Sequence, residues 1–178
     1  MTGQTPDIFI FKGERYELIG MEGHKLISPE QFGMYPVMLD TGCYRGFYCT
    51  YELTDTVLYL RRMTLREGGE NYLPINGILP EKEKYQTTYH NLSVEVPFTG
   101  KLRLAKDLIP GLYIHMGYQK PTAFKTVYDV TLADGKVVDI KDRSEEMEKK
   151  RGAFKKHYKS GNMIQTIEDA FSLDMDLE

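Results

Sequence analysis

The chain has 178 residues, 41% of them apolar and 28% charged, which fits one globular domain with a substantial core. Its net charge of −3 gives no global positive field for nucleic acid. No run reaches the roughly 18 apolar residues of a membrane span. Met1 to Asp7 carry neither the basic region nor the apolar stretch of a secretory signal, so a soluble, cytoplasmic chain is expected. The aromatics are 13 Tyr and 8 Phe with no Trp, a mix that suits strands and also suits contact surfaces.

In chain order, Ile8 to Phe11 and Glu14 to Ile19 flank Lys12-Gly13, which predicts a hairpin pairing Phe9 with Tyr16. Ser28-Pro29 starts, and Gly33 stops, at most one turn of helix, and Pro36 bars its continuation. Two runs rich in strand formers follow, one that starts at Val37 and reaches the Thr54-Asp55 turn, the other Val57 to Arg66. A two-residue turn at Thr54-Asp55 would pair Tyr51 with Leu58 and Cys49 with Leu60 on a core face. The opposite face then carries Tyr48 beside Arg61, and Thr50 beside Tyr59.

Glycine and proline between Glu67 and Glu83 read as loop, with a tight turn at Asn76-Gly77. Strands are predicted from Tyr85 through Tyr89 to Val96, at Lys101 to Leu104 and at Leu112 to Met116, with a helical turn over Ala105 to Ile109. Phe124 to Ile140 reads as a second hairpin with a three-residue loop, Ala133-Asp134-Gly135, pairing Val130 with Val138. After Arg143 the period changes. Ser144 is placed as a helix cap, with Glu145 and Glu146 in the first turn. Met147, Arg151, Phe154 and Tyr158 recur at helical spacing, and Ile164 to Phe171 reads as a second short helix. The expectation is a mainly β fold: an antiparallel meander over residues 1–143 that closes into a barrel or sandwich. Residues 144–178 form a C-terminal helical appendage of one or two helices on the same domain.

The chemistry-bearing residues are few. Cys43 and Cys49 form neither a disulfide framework nor a zinc set and read as free thiols, with Cys49 in the core. His24, His90, His115 and His157 lack ligand spacing, so no metal and no cofactor are implied. His115 sits in an apolar strand, where it is a candidate base or polar anchor against the alternative of a hydrogen-bonded core histidine. Lys149 to Lys159 holds six Lys or Arg and no acid, interleaved with Phe154 and Tyr158. That stretch is read as the solvated face of a helix rather than a nucleic-acid site.

Leu39-Asp40-Thr41-Gly42 resembles the apolar-apolar-Asp-Thr-Gly signature of aspartic proteases of the homodimeric, retropepsin-like type. The resemblance implies an aspartate pair sharing a proton across two subunits, with Asp40 catalytic. Ile109-Pro110-Gly111 departs from the apolar-apolar-Gly segment that the family places beneath that loop. The same tripeptide is also an ordinary turn.

The leading functional expectation is a non-enzymatic module that binds a protein partner or a second copy of itself, of the inhibitor, immunity or adaptor type. Its predicted surface is the Tyr/Arg-rich strand face of Tyr48, Tyr59 and Arg61 with Arg45 nearby. One alternative is a barrel holding a small apolar or aromatic ligand, with Arg45 and His115 as polar anchors. The other is the aspartic protease reading.

Overall fold

The computed structural model describes residues 2–154 and 169–175. Ten strands form one mixed sheet: β1 (Ile8–Phe11), β2 (Glu14–Gly23), β3 (Phe47–Leu53), β4 (Leu58–Leu65), β5 (Glu81–Lys82), β6 (Thr87–Tyr89), β7 (Val94–Glu95), β8 (Gly100–Leu108), β9 (Phe124–Ala133) and β10 (Lys136–Asp142). One helix, α1 (Ser144–Phe154), follows, and residues 169–171 are also helical. The spatial order is β10-β9-β8-β2-β1-β3-β4-β6-β5, with β7 also on β4. The end strands β10 and β5 do not pair, so the sheet is open and not closed into a barrel. Among the described residues no helix is long and apolar enough to cross a membrane.

The short apolar run Ile8-Phe9-Ile10-Phe11 takes the centre, as an uninterrupted apolar strand must. Its hairpin to β2 has the predicted register, Phe9 opposite Tyr16. Lys12 (φ 52°) and Gly13 (φ 77°) supply the two left-handed residues that this turn requires. On its other side β1 pairs with β3 in parallel, Phe9 opposite Tyr51, which departs from the expected antiparallel meander. The cause is the connection after β2. One edge of β2 is taken by β1 and the other by β8, so residues 24–46 pass β1 and deliver β3 to its free edge. Phe9 and Tyr51 stack at 4.9 Å with neither exposed, each burial worth about 1.5–3 kcal/mol.

The β3–β4 hairpin has the expected core face but not the expected register. Thr54 Oγ1 accepts the Val57 N–H at 2.9 Å and donates to Val57 O at 2.8 Å, which closes a four-residue loop in place of Thr54-Asp55. Leu53 therefore faces Leu58, and Tyr51 faces Leu60. A shift of two residues preserves the face, so Cys49, Tyr51, Leu53, Leu58 and Leu60 are all buried as expected. A bulge at Arg61 then moves Cys49 opposite Met63 and Tyr48 opposite Thr64, so Tyr48 and Arg61 are not cross-strand partners.

Three other expectations change. The β9–β10 turn is the two-residue Asp134-Gly135, and the extra residue is a bulge at Val138 within β10 that brings Val130 opposite Ile140. Ala105 to Leu108 is strand, because β8 is held between β2 and β9 and tertiary pairing overrides local propensity. Leu112 to Met116 is not strand: Pro110–Leu112 forms a single 3₁₀ turn, and the chain to Met116 is irregular. The single turn at Pro29–Phe32, the Asn76-Gly77 turn, the two free thiols and the burial of Cys49 stand as expected, and Cys43 is buried as well.

One main core gathers side chains from β1, β2, β3, β4, β6, β8 and β9. A bulge at Ile19 splits off a second one. Leu18 lies opposite Leu104 and Gly20 opposite Arg103, so Ile19 is the extra residue and joins Ala105, Phe124, Val127 and Met147 beneath α1. Ser144 is the first helical residue and not the cap: Met147 N–H donates to Arg143 O, while Ser144 Oγ accepts the Val127 N–H. Arg151 fastens the helix by donating to Thr122 O and Phe124 O, both at 2.7 Å.

Candidate functional site

The residues singled out from the sequence fall in four places. Tyr59 and Arg61 lie together, half-buried, with the Arg61 guanidinium 4.4 Å from the Tyr59 ring centroid. Arg61 Nε donates to Glu52 Oε2 at 2.6 Å, and Nη1 reaches Ser93 Oγ and Leu92 O. Tyr48 is farther along β3, its hydroxyl 3.5 Å from Gln86 Oε1. Arg45 grips Asp7 with both terminal guanidinium nitrogens, Nη1 at 3.0 Å and Nη2 at 2.5 Å, and lies 4.7 Å from the Phe47 ring. His115 is exposed on the irregular loop, edge-on to Tyr113 at 4.8 Å. The structure thus joins Tyr59 with Arg61 and ties Arg45 to Asp7, and it places Tyr48 and His115 elsewhere.

Asp40 is exposed, and its Oδ1 accepts the Gly42 N–H at 2.6 Å, the geometry of an Asx turn. In the basic stretch, Lys149 pairs with Glu145 at 2.7 Å and Lys150 with Glu146 at 3.3 Å, one turn back along α1. Lys155, Lys156, His157, Tyr158, Lys159 and the start of the second predicted helix lie outside the described residues. Burial pushes the thiols of Cys43 and Cys49 up, Cys49 well above its ordinary value, so neither is a ready thiolate. Among the described residues no three or more His, Cys, Asp or Glu side chains are grouped to hold a metal ion.

A different stretch, residues 34–46, has the properties of a contact surface. Tyr35 is 69% exposed, Met38 51%, Tyr44 48% and Val37 42%, all carried by one loop. Surface apolar side chains are common one at a time, whereas four on one loop are not. The backbone beneath them is fastened at several points. Val37 N–H donates to Arg66 O at 2.9 Å, Arg66 N–H to Gly46 O at 3.0 Å, Gly68 N–H to Tyr35 O at 3.2 Å and Thr5 N–H to Gly42 O at 2.7 Å. Gly46 has φ 80°, and a Cβ there would sit 2.3 Å from Val37 O, so only glycine lets the two strands of the loop approach this closely.

Glu67 completes the scaffold. Its buried carboxylate accepts the N–H groups of Asn71 at 2.8 Å, Gly69 at 2.7 Å and Tyr35 at 3.4 Å. These donors, Asn71 first, hold its carboxyl below the usual value of 4.5 against the opposing pull of burial. A carboxyl with a lowered folded-state pKa stabilises the fold above its unfolded value, and that stability is lost as pH falls through the folded one. Glu67→Gln is therefore expected to be less stable than the wild type at neutral pH. The gap should shrink below about pH 4.5 in denaturant titrations at stepped pH. A gap independent of pH would show that the carboxylate charge plays no part.

Within residues 34–46, sequence reasoning singled out Asp40, Cys43 and Arg45 but not the exposed Tyr35, Val37, Met38 and Tyr44. The available signal was Met34-Tyr35-Pro36-Val37-Met38-Leu39, an apolar run with a proline inside it, which cannot be a central strand and yet is too apolar for an idle loop. No family model, curated protein or solved structure matches this chain, so its candidate site stands on its own geometry.

Proposed function

We propose that the chain is a non-enzymatic protein-binding module, of the inhibitor, immunity, adaptor or self-associating kind, whose contact surface is the loop of residues 34–46. The observation that carries this reading is the combination of exposed Tyr35, Val37, Met38 and Tyr44 with a backbone hydrogen-bonded at several points. Binding pays for ordering whatever is mobile, so aromatic and apolar anchors on an already ordered loop give contact area at little entropic cost. Met adapts to an irregular partner surface, and Tyr offers an apolar ring with a wet tip. The strand-face pair Tyr59 and Arg61 belongs to the same reading as a second contact area, since its residue types are those enriched at hot spots.

The test is a double variant, Tyr35→Ser with Met38→Ser. Both side chains are exposed, so folding should be unchanged within about 0.5 kcal/mol. Its self-association, read by sedimentation velocity, and its retention of any co-purifying protein, read by affinity enrichment, should both be compared with the wild type. The reading expects one of the two to fall at least tenfold, the size of change that truncating a hot-spot residue brings, about 1.4 kcal/mol or more. A variant that matches the wild type in both readouts overturns it.

A further inference from the structure

Residues 169–175 sit in a groove whose walls come from distant parts of the chain. One wall is the edge of β2. β1 pairs with β2 only over Glu14 to Glu17, and Leu18 N–H donates to Asp7 O at 2.9 Å, so β1 leaves that edge uncovered beyond Leu18. There Met21 N–H donates to Leu173 O at 2.6 Å, and Met21 forms a parallel bridge with Asp174. The other wall is the loop around Gly117. Tyr118 N–H donates to Ala170 O at 2.7 Å, and Lys120 Nζ donates to Asp169 O at 3.4 Å. The groove thus grips main-chain carbonyls, the means by which a sheet edge takes up a peptide.

The fit is close. A Cβ on Gly117 would stand 1.9 Å from Ala170 O, so only glycine lets the loop approach the segment. Ala170 and Met175 are buried, Phe171 and Leu173 are half-buried, and the Phe171 ring lies 5.9 Å from the Tyr44 ring. The walls themselves do not depend on the segment. Met21 is opposite Leu102 of β8, and Gln4 N–H donates to Gly117 O at 2.7 Å. The Gln119 side chain bonds to the N–H and the C=O of Ile114, at 2.9 and 2.7 Å. The segment, by contrast, has one bridge to the sheet among the described residues. A segment held this lightly on a preformed groove opens before the sheet does, and its exchange between two copies re-forms every contact that it loses.

We infer that the groove is a peptide dock whose occupant exchanges between copies: residues 169–175 of a second copy seat in it and join two chains. The seated segment itself shows which peptide the groove fits, and Phe171 against Tyr44 brings an incoming segment to the edge of the proposed contact loop. The inference rests on the self-associating form of that reading. Neither Tyr35 nor Met38 belongs to the groove, so each idea can fail without the other.

The experiment is amide NMR of an isotope-labelled full chain carrying Ala170→Asp, in which a charge at a buried position unseats the chain's own segment. It is titrated with an unlabelled full chain carrying Gly117→Ala, which keeps the segment and blocks its own groove. It is titrated separately with the capped peptide Asp169–Met175. Both titrants should give the same saturable shifts at Met21, Gly117 and Tyr118, and the peptide carrying Ala170→Asp should bind about tenfold more weakly or worse. In the wild-type chain the Met21 and Tyr118 amides should exchange with solvent about tenfold faster or more than those of β9, a readout that needs no variant. Saturable shifts with neither titrant, or with the peptide alone, would overturn the exchange, as would equal binding of the substituted peptide. Protection of Met21 and Tyr118 equal to that of β9 would overturn it too, because the segment would then open only with the whole sheet.

Discussion

Replacing Asp129 with alanine is expected to cost about 3–5 kcal/mol of folding stability, the largest single-residue effect in the sheet. Asp129 and Arg103 are both buried, on neighbouring strands and directly opposite in register. Their contact is bidentate, with Arg103 Nε on Oδ1 at 2.7 Å and Nη2 on Oδ2 at 2.8 Å. Arg143 joins from the start of α1, 3.2 Å from Oδ2, and in turn holds Glu146 at 2.6 Å. The carboxylate thus links β8, β9 and the helix that covers the second core. Its removal takes the bidentate partner from a guanidinium that water cannot easily reach, which is the expensive way to break a buried pair. Replacing both partners by apolar residues, Arg103→Met with Asp129→Leu, should recover much of the loss, since desolvation cancels most of the pair's own gain. Denaturant unfolding monitored by circular dichroism measures both. A loss under about 1 kcal/mol for Asp129→Ala would mean that the cluster is solvated in solution.

Asp7 carries the second-largest expected effect, about 3 kcal/mol for Asp7→Ala. It is 3% exposed and accepts three hydrogen bonds, two from Arg45 and one from the Cys49 N–H at 2.7 Å. It therefore satisfies a backbone donor in β3 while fixing the end of the 34–46 loop to the entry of β1. The Arg45 side chain keeps 30% of its surface in water, so its lost partner is partly replaced by solvent, which makes this cost smaller than that at Asp129. The consequence reaches the proposed surface. Amides of residues 38–47 should exchange faster with solvent in Asp7→Ala than in the wild type, by more than the amides of β9 do. Uniform acceleration across both regions would place Asp7 in global stability alone.

What could be read from the sequence depended on how locally each feature was encoded. The β1–β2 hairpin was legible down to its register, because a two-residue Lys12-Gly13 turn leaves no other pairing of the flanking apolar residues. The β3–β4 core face was legible although the register was not: Thr54 bonds to Val57 and lengthens the loop by two residues, which moves the partners without turning the face. Bulges at Ile19, Arg61 and Val138 were not legible, since each is set by the strand alongside and not by its own neighbours. The parallel placement of β3 was hidden for the same reason.

The charged anchors were not legible. Arg103 sits between Leu102 and Leu104, and Asp129 between Tyr128 and Val130, but Lys101, Lys106 and Asp107 on β8 and Lys125 on β9 make these charges look like ordinary members of half-solvated strands. Glu67 gave no signal either, because its three partners are backbone amides brought to it by the fold. The exposure of Tyr35, Val37, Met38 and Tyr44 was not legible, because nothing local in an apolar run marks it as facing solvent.

The most direct test of the proposed contact surface is cross-linking mass spectrometry with a non-selective photo-reactive reagent on the wild-type chain, in extract and as the purified protein. If the chain acts through this surface, intermolecular links or cross-link-protected positions should cluster between Tyr35 and Gly46, whether the partner is a second copy or another protein. If the links fall mainly elsewhere and the Tyr35→Ser, Met38→Ser variant leaves their pattern unchanged, the loop is a structural feature and the protein-binding proposal is contradicted.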